Sequence, residues 1–253
     1  MGFDRIRIKS NARLFYKNNT GTSICALLIY LGISLGATIA LYMIGMVFGI
    51  FSALTTTSTG ATGSLGERAS TAFMMFTYAF SFVISIGLMP LAMGLMDWFR
   101  RTIYEKISLS EMFCLYRDGR FWGAVGTTLL MSLFIYLWSL LFVIPGLIKV
   151  YSYSQAMFIK AENPNIPASR AIELSKIMME GHKWDLFILH CSFIGWGILS
   201  ALTYNILGIV YVFPYFYASL AFAYEEIKAD AASRNLIDIR EINPDFVQYD
   251  NMV

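Results

Sequence analysis

The chain has 253 residues, of which 57% are hydrophobic, 16% aromatic and only 14% charged, against roughly 25% charged in an ordinary soluble domain. Its net charge of +2 is too small for a nucleic-acid footprint, and no recognition motif accompanies it. Residues 18–66, 69–96, 121–148 and 186–224 contain no Lys, Arg, Asp or Glu. Each stretch exceeds the roughly 20 residues that cross a hydrocarbon core of about 30 Å. A soluble protein of this size has no core large enough to hide four such segments, so the composition points to an integral membrane protein.

At the N-terminus, Arg5, Lys9, Arg13 and Lys17 recur every four residues, which predicts one basic stripe on a helix. The uncharged run from Asn18 is several times longer than the 7–15-residue apolar region of a signal peptide, and no clear cleavage site follows it, so it reads as an uncleaved first span. Six spans are predicted, over about 24–53, 69–96, 121–143, 147–161, 184–202 and 207–224. The first ends in the polar stretch Thr55–Ser64, and the second contains Pro90. The third breaks at Ile144-Pro145-Gly146, and the fourth is short, its apolar part Leu147–Ile159 containing Lys149. Pro214 lies in the sixth. The whole reads as an all-α polytopic membrane protein: a single transmembrane domain over 1–227 and an acidic cytosolic tail over 228–253.

The positive-inside rule supports six spans with both termini in the cytosol. Arg5, Arg7, Lys9, Arg13 and Lys17 precede the first span, and Arg100, Arg101, Lys106, Arg117 and Arg120 lie between the second and third. Lys160, Arg170, Lys176 and Lys183 lie between the fourth and fifth, and Lys228, Arg234 and Arg240 follow the sixth. Only Arg68 and Lys149 fall outside this one face. Trp98, Trp122 and Trp184 sit beside charged residues at predicted cytosolic helix ends, where indole rings favour the interface.

A threefold pattern runs through the chain. Each hairpin is preceded by an amphipathic cytosolic segment, and each returning helix carries a proline: 90, 145 and 214. Before the second hairpin, Ser108-Leu-Ser-Glu111 reads as a capping box, with Leu109, Met112, Phe113 and Tyr116 on one face. Before the third, Ala171, Leu174 and Met178 share a face, after Pro167 in a first-turn position. Two readings of these segments are open: topology determinants between hairpins, or surfaces that attract anionic lipid at about 1 kcal/mol per basic residue.

From Arg120 onward, the chain resembles an uncharacterised family of bacterial integral membrane proteins, catalogued only as a domain of unknown function. The residues that carry the resemblance are Phe142-Val-Ile-Pro-Gly-Leu-Ile-Lys-Val-Tyr-Ser-Tyr-Ser154, Glu162-Asn-Pro164, Ala171-Ile172, Ser175, Met178-Met179, Gly181, Lys183-Trp184, Ser192-Phe-Ile-Gly-Trp196 and Pro214-Tyr215. The N-terminal third departs from the family, with Leu14-Phe-Tyr-Lys-Asn18 where a Leu-x-Gly-x-Trp ending is usual. The resemblance implies a six-helix protein of the bacterial cytoplasmic membrane. It extends distantly to the membrane domain attached to some glycerophosphodiester phosphodiesterases, and it supplies no catalytic residues.

Chemistry-bearing motifs are sparse. The three cysteines (Cys25, Cys114, Cys191) are far apart and read as small hydrophobes. His182, Asp185 and His190 lie close in sequence, but a metal centre needs at least three convergent ligands, and Asp185 suits the first turn of a helix. There is no H-E-x-x-H, G-x-S-x-G or phosphate loop, so neither an enzyme nor a cofactor is expected. A permease, or the membrane subunit of a transporter with a separate energising partner, would use Lys149 and His190 with polar support from Tyr151, Tyr153 and Asn205. The favoured reading is a non-catalytic scaffold, accessory or protective factor acting through lipid or protein contacts. Its expected partners are anionic phospholipid and either another protein or a second copy. For Lys149, snorkelling to the headgroups stands beside an inward site, with Tyr151, Tyr153 and Asn205, for an anionic lipid head or substrate group.

Overall fold

A computed structural model describes residues 3–59, 64–117 and 119–243, with side chains outside the description at 51–53, 55–59 and 64–70. Every regular element among the described residues is helical. Four helical stretches are long and apolar enough to cross a membrane: Thr20–Ile50, Thr71–Thr102, Phe121–Leu141 and, interrupted once, Lys183–Leu202. Residues 60–63, within the expected outer loop, and the acidic residues beyond 243 lie outside the described residues.

Contacts divide the chain into two units, one of residues 29–89 and the other of residues 1–28 with 90–253. The first holds most of α2 (Thr20–Thr59) and of α3 (Ser64–Thr102). The helix expected to stop at Ala53 runs on to Thr59, because the sequence has no glycine or proline to end it before Gly60. Within this unit Phe48 stacks on Phe73 at 6.0 Å between ring centres and meets Phe76 in a tilted contact at 5.4 Å. The hydroxyls of Ser34, Thr38, Thr77, Ser81 and Ser85 each donate to the carbonyl four residues back. Their polarity is thus absorbed by their own helix, as lipid surroundings require.

In the second unit, α1 (Arg5–Asn18) is capped by the Asp4 carboxylate, which accepts from the backbone N–H groups of Ile6 and Arg7. After α3, Leu109–Tyr116 forms a 3-10 helix. Its period of three explains a departure from expectation: Met112 and Leu115 are buried while Tyr116 is exposed, since i and i+3 eclipse in this geometry. The expected capping box is half formed. Ser108 Oγ accepts from Ser110 N, but the Glu111 carboxylate turns to Arg101 at 3.3 Å and Arg117 at 3.2 Å.

Helix α4 (Phe121–Leu141) has 21 residues and is about 31 Å long. It ends at Phe142, whose extended backbone (φ −157°, ψ 146°) reverses the chain directly into α5 (Val143–Tyr153). The bend therefore falls before Ile144-Pro145-Gly146, and Pro145 occupies the first turn of α5, where no N–H is needed. α4 and α5 pack closely because Gly146 lies against Ser139: a Cβ on Gly146 would sit 2.9 Å from the Ser139 Cα.

The returning segment is broken. α5 stops at Tyr153 and α6 (Ala156–Glu162) follows after Ser154 and Gln155. Ser175 of α7 (Ala168–Met178) fills the break, its hydroxyl accepting from Gln155 N at 3.1 Å and donating to the Ser152 carbonyl at 2.9 Å. The predicted face of α7 is buried at Ala171, Leu174 and Met178. The fifth expected span is two helices, α8 (Lys183–Cys191) and α9 (Ile194–Leu202), separated at Ser192–Phe193. A turn through Tyr204 and Asn205, both at positive φ, leads to a π-helical segment, Gly208–Val212, and then α10 (Phe213–Ser233). α10 runs nine residues past Tyr224 into the expected tail. α11 (Ile239–Ile242) closes the described chain. Small residues stand among the large apolar ones of the core: Ala12, Ala124, Ala156, Ala171, Ala218 and Ala221 are each 0% exposed. Helices that gain little from burying apolar surface in lipid associate through such close packing.

Candidate functional site: an ionic layer, a docked basic helix and a caged lysine

The C-terminal ends of α3 and α6 meet the interior of α10 around a buried set of charges. Arg100 of α3 donates to Asp97 Oδ1 at 2.7 Å and faces Glu162 of α6 at 3.5 Å. Lys228 of α10 reaches Glu162 at 3.0 Å and Glu225 at 2.9 Å. The Tyr224 hydroxyl donates to Glu162 Oε2 at 2.6 Å, and its ring stacks on Phe158 at 4.8 Å. The Glu162 side chain is only 3% exposed. Charges removed from water this far persist only when each meets a partner. Here three carboxylates interlock with two cations across segments distant in sequence, so the layer ties the three helices together. Trp98, expected at the interface, belongs to this packed region instead: it is 1% exposed and its indole N–H donates to the Ser108 carbonyl. Trp122 and Trp184 are exposed, as an interfacial role requires.

Helix α1 packs on α10. Ile8, Ala12 and Phe15 form its buried face, Arg7 pairs with Glu226, and the Tyr16 hydroxyl donates to the Val210 carbonyl at 2.6 Å. Away from that face, Arg5, Arg13 and Lys17 are exposed and Lys9 is half-buried, its ammonium 5.2 Å from the centre of the Phe193 ring. Burial, then the neighbouring Arg13 and Arg5, lower the pKa of Lys9. Ile6 and Leu14 are also exposed, at 83% and 60%. The outer surface of α1 thus mixes cations with large apolar side chains, the composition that suits a headgroup boundary.

The residues expected around Lys149 separate into three places. The Lys149 ammonium lies 4.4 Å from the centre of the Trp138 ring and 5.9 Å from that of Tyr153. This aromatic cage, with Trp138 not foreseen as its main wall, supplies a cation–π partner. Tyr151 packs on Phe187 and His190. Asn205 lies in the α9–π turn, accepting from the Ser200 hydroxyl at 3.3 Å. Lys149 and Tyr153 are brought together, and Tyr151 and Asn205 take part in other contacts.

The two histidines also part company. His190 Nδ1 lies 2.9 Å from the Leu186 carbonyl. His182 Nε2 lies 2.9 Å from Asp230 Oδ2, and since a carboxylate only accepts, the ring nitrogen donates. Arg234 reaches the same oxygen at 3.2 Å. The His182 bond first, then the His182 and Arg234 charges, hold the Asp230 carboxyl below the usual carboxylate range. Among the described residues no group of three His, Cys, Asp or Glu side chains is placed to hold a metal ion. Arg170 of α7 grips Glu241 with two bonds of 2.6 and 2.9 Å.

The ionic layer was not anticipated from the sequence. Its signal was present in Asp97 and Glu225, each abutting the end of an apolar run, and in Glu162, three residues beyond one, but their meeting depends on the packing of distant helices.

Compared with known proteins, residues 142–231 match a family described as "Protein of unknown function (DUF975)". The match begins at the Phe142 reversal and ends within α10, so it covers the broken segment, Lys149, Ser175, Glu162 and Lys228, about a third of the chain. It supports similarity to an uncharacterised domain family. No curated protein and no solved structure matches the chain.

Proposed function

We propose that this is a six-span protein of the bacterial cytoplasmic membrane, with both termini cytosolic, acting without catalysis as a scaffold or accessory factor through lipid and protein contacts. The observation that carries the reading is the buried ionic layer where α3 and α6 end against α10, in a chain whose long helices have exposed, apolar surfaces. In a bilayer those surfaces face acyl chains, and the ionic layer marks the cytosolic boundary, where the basic residues gather. The segments 143–162 and 208–224 would complete the six spans, although each is broken or irregular. α1, docked by its apolar face, offers Arg5, Arg13, Lys17 and the half-buried Lys9 to anionic headgroups.

A second reading, a small permease or transporter subunit, rests on the break at Ser154–Gln155. Discontinuous helices at membrane depth are the usual place for substrate and ion sites, and Gln155 Oε1 is buried there without a partner.

Purification from mild detergent, followed by mass spectrometry of bound lipid and protein, separates the two. Retained anionic phospholipid supports the scaffold, and a stoichiometric soluble ATPase overturns it in favour of transport. Impermeant labelling of Tyr204→Cys but not Ser233→Cys in intact cells is the expected topology. Labelling of position 233 overturns six spans.

A further inference from the structure

The helices α2 and α3 are longer than a bilayer is thick. They have 40 and 39 residues, about 60 Å each, whereas α4, with 21, matches a hydrocarbon core of about 30 Å. At an ordinary tilt of about 20°, that core takes roughly 21 residues of helix. A span entering near Ile24, shortly after Lys17, therefore leaves the core near Gly45, yet α2 stays helical to Thr59. Even a tilt of about 40° shelters only about 26 residues and leaves Ile50 outside. Phe48 packs on Phe73 and Phe76, so the two helices remain paired beyond that level.

The part of α2 that outruns the core is not polar. Phe48 turns toward α3, and at about 100° per residue Leu35, Ile39, Met43, Met46 and Ile50 fall on the opposite face of α2, with Val47 at its edge. All six are between 58% and 66% exposed. Their steps of three and four residues are those of a seam between packed helices. Gly36 lies on the same face, with open space where a Cβ would stand, so a second helix can come close. The exposed seam amounts to on the order of 600 Å², more than the few hundred that a protein usually leaves uncovered.

We propose that α2 is the interface of a homodimer, in which two copies of this chain meet along the seam. Acyl chains can cover Leu35 and Ile39, but at ordinary tilt they do not reach Met46, Val47 and Ile50. Two seams together bury about 1,200 Å², enough for a specific interface. A membrane holds both copies upright, so their α2 helices run parallel and the seam meets itself about a twofold axis. No Lys, Arg, Asp or Glu occurs from Asn18 to Gly66, so no charge opposes this pairing or selects a different partner. The depth of the seam rests on the membrane topology proposed above; its apolar face does not.

The test weighs the full chain in mild detergent by native mass spectrometry. The wild type should be a dimer, and Met46→Glu combined with Ile50→Glu should weaken association at least tenfold. Leu140→Gln, on the exposed surface of α4, should leave the dimer intact. A second measurement works in native membranes, where every variant inserts beside the parent chain. Mild oxidation should link Ile50→Cys to its copy, above the parent's background, but should not link Gly49→Cys. Position 49 lies about a quarter-turn round the helix, and an added Cβ there has open space. Gly49→Cys should instead react with an impermeant maleimide in intact cells. A monomeric wild type overturns the interface, as does equal linking at 49 and 50. Unreactive Gly49→Cys beside reactive Tyr204→Cys would place the seam in lipid and overturn it too. Labelling of Ser233→Cys is the separate failure of the six-span reading.

Discussion

The Ser175 hydroxyl accepts the Gln155 amide at 3.1 Å and donates to the Ser152 carbonyl at 2.9 Å. A side chain from α7 therefore stands in for ladder bonds that α5 and α6 have lost at their junction. Buried backbone groups without partners are costly, so this one hydroxyl, 0% exposed, makes the interruption tolerable. Ser175→Ala removes both bonds and should lower stability by about 1–3 kcal/mol, read as a fall in melting temperature in detergent. An unchanged melting temperature would mean that water replaces the hydroxyl in the break.

Glu162 touches Arg100, Lys228 and Tyr224 at 3.5, 3.0 and 2.6 Å. Glu162→Gln leaves two buried cations sharing the remaining acids, and the cost should approach about 3 kcal/mol. Glu111→Gln is the contrast: its pairs with Arg101 and Arg117 are 34–56% exposed and should contribute under about 1 kcal/mol. Equal melting temperatures for the two variants would remove the ionic layer from its proposed role of tying the three helices together.

The difference between these two sites also shows how far the sequence can be read. Local periodicity placed the α1 stripe and the buried face of α7, because spacing along one helix decides both. It misjudged the segment after Ser108, where period three replaced 3.6 and exposed Tyr116. It put the reversal at Pro145, whereas the extended conformation of Phe142 makes the turn and the proline merely starts the next helix. Glu162 and Lys228 are 66 residues apart, and single-chain periodicity carries no information about such a pairing. Lys149 was assigned polar neighbours by proximity in sequence, yet its nearest ring is Trp138, brought there by the tight α4–α5 reversal.

Acid should loosen the ion pairs of Asp230 and Glu241, and the sign follows from their lowered pKa values. Asp230 is held low chiefly by its bond to His182, and Glu241 by its bonds to Arg170. A carboxylate with a depressed folded pKa contributes stability that is fully present above its ordinary range and lost as pH falls through the lowered value. The melting temperature should thus change little on this account from neutral pH down to about 5 and fall below it. The Glu241→Gln variant should show a shallower acid limb, by a small amount, because Arg170 and Glu241 are each about a third exposed and solvent screens the pair. An acid limb identical to that of the wild type would show that Glu241 contributes nothing to it.

Lys149 offers the clearest separation of structural from binding roles. With its ammonium 4.4 Å from the Trp138 ring centre and 5.9 Å from that of Tyr153, the charge has a partner that needs no carboxylate. Cation–π contacts contribute about 0.5–2 kcal/mol according to their desolvation. The unbranched Met side chain fills similar space, so Lys149→Met should fold, with a melting temperature within a few degrees of the wild type. Trp138→Leu removes the main wall of the cage while keeping an apolar helix surface, and should raise the rate at which an amine-directed reagent modifies Lys149 in micelles. If that rate is the same in both proteins, the ring does not shield the ammonium and the cage has no energetic meaning. If Lys149→Met folds but loses bound anionic lipid, the caged lysine is a binding residue; if lipid is retained, its partners are the two rings alone.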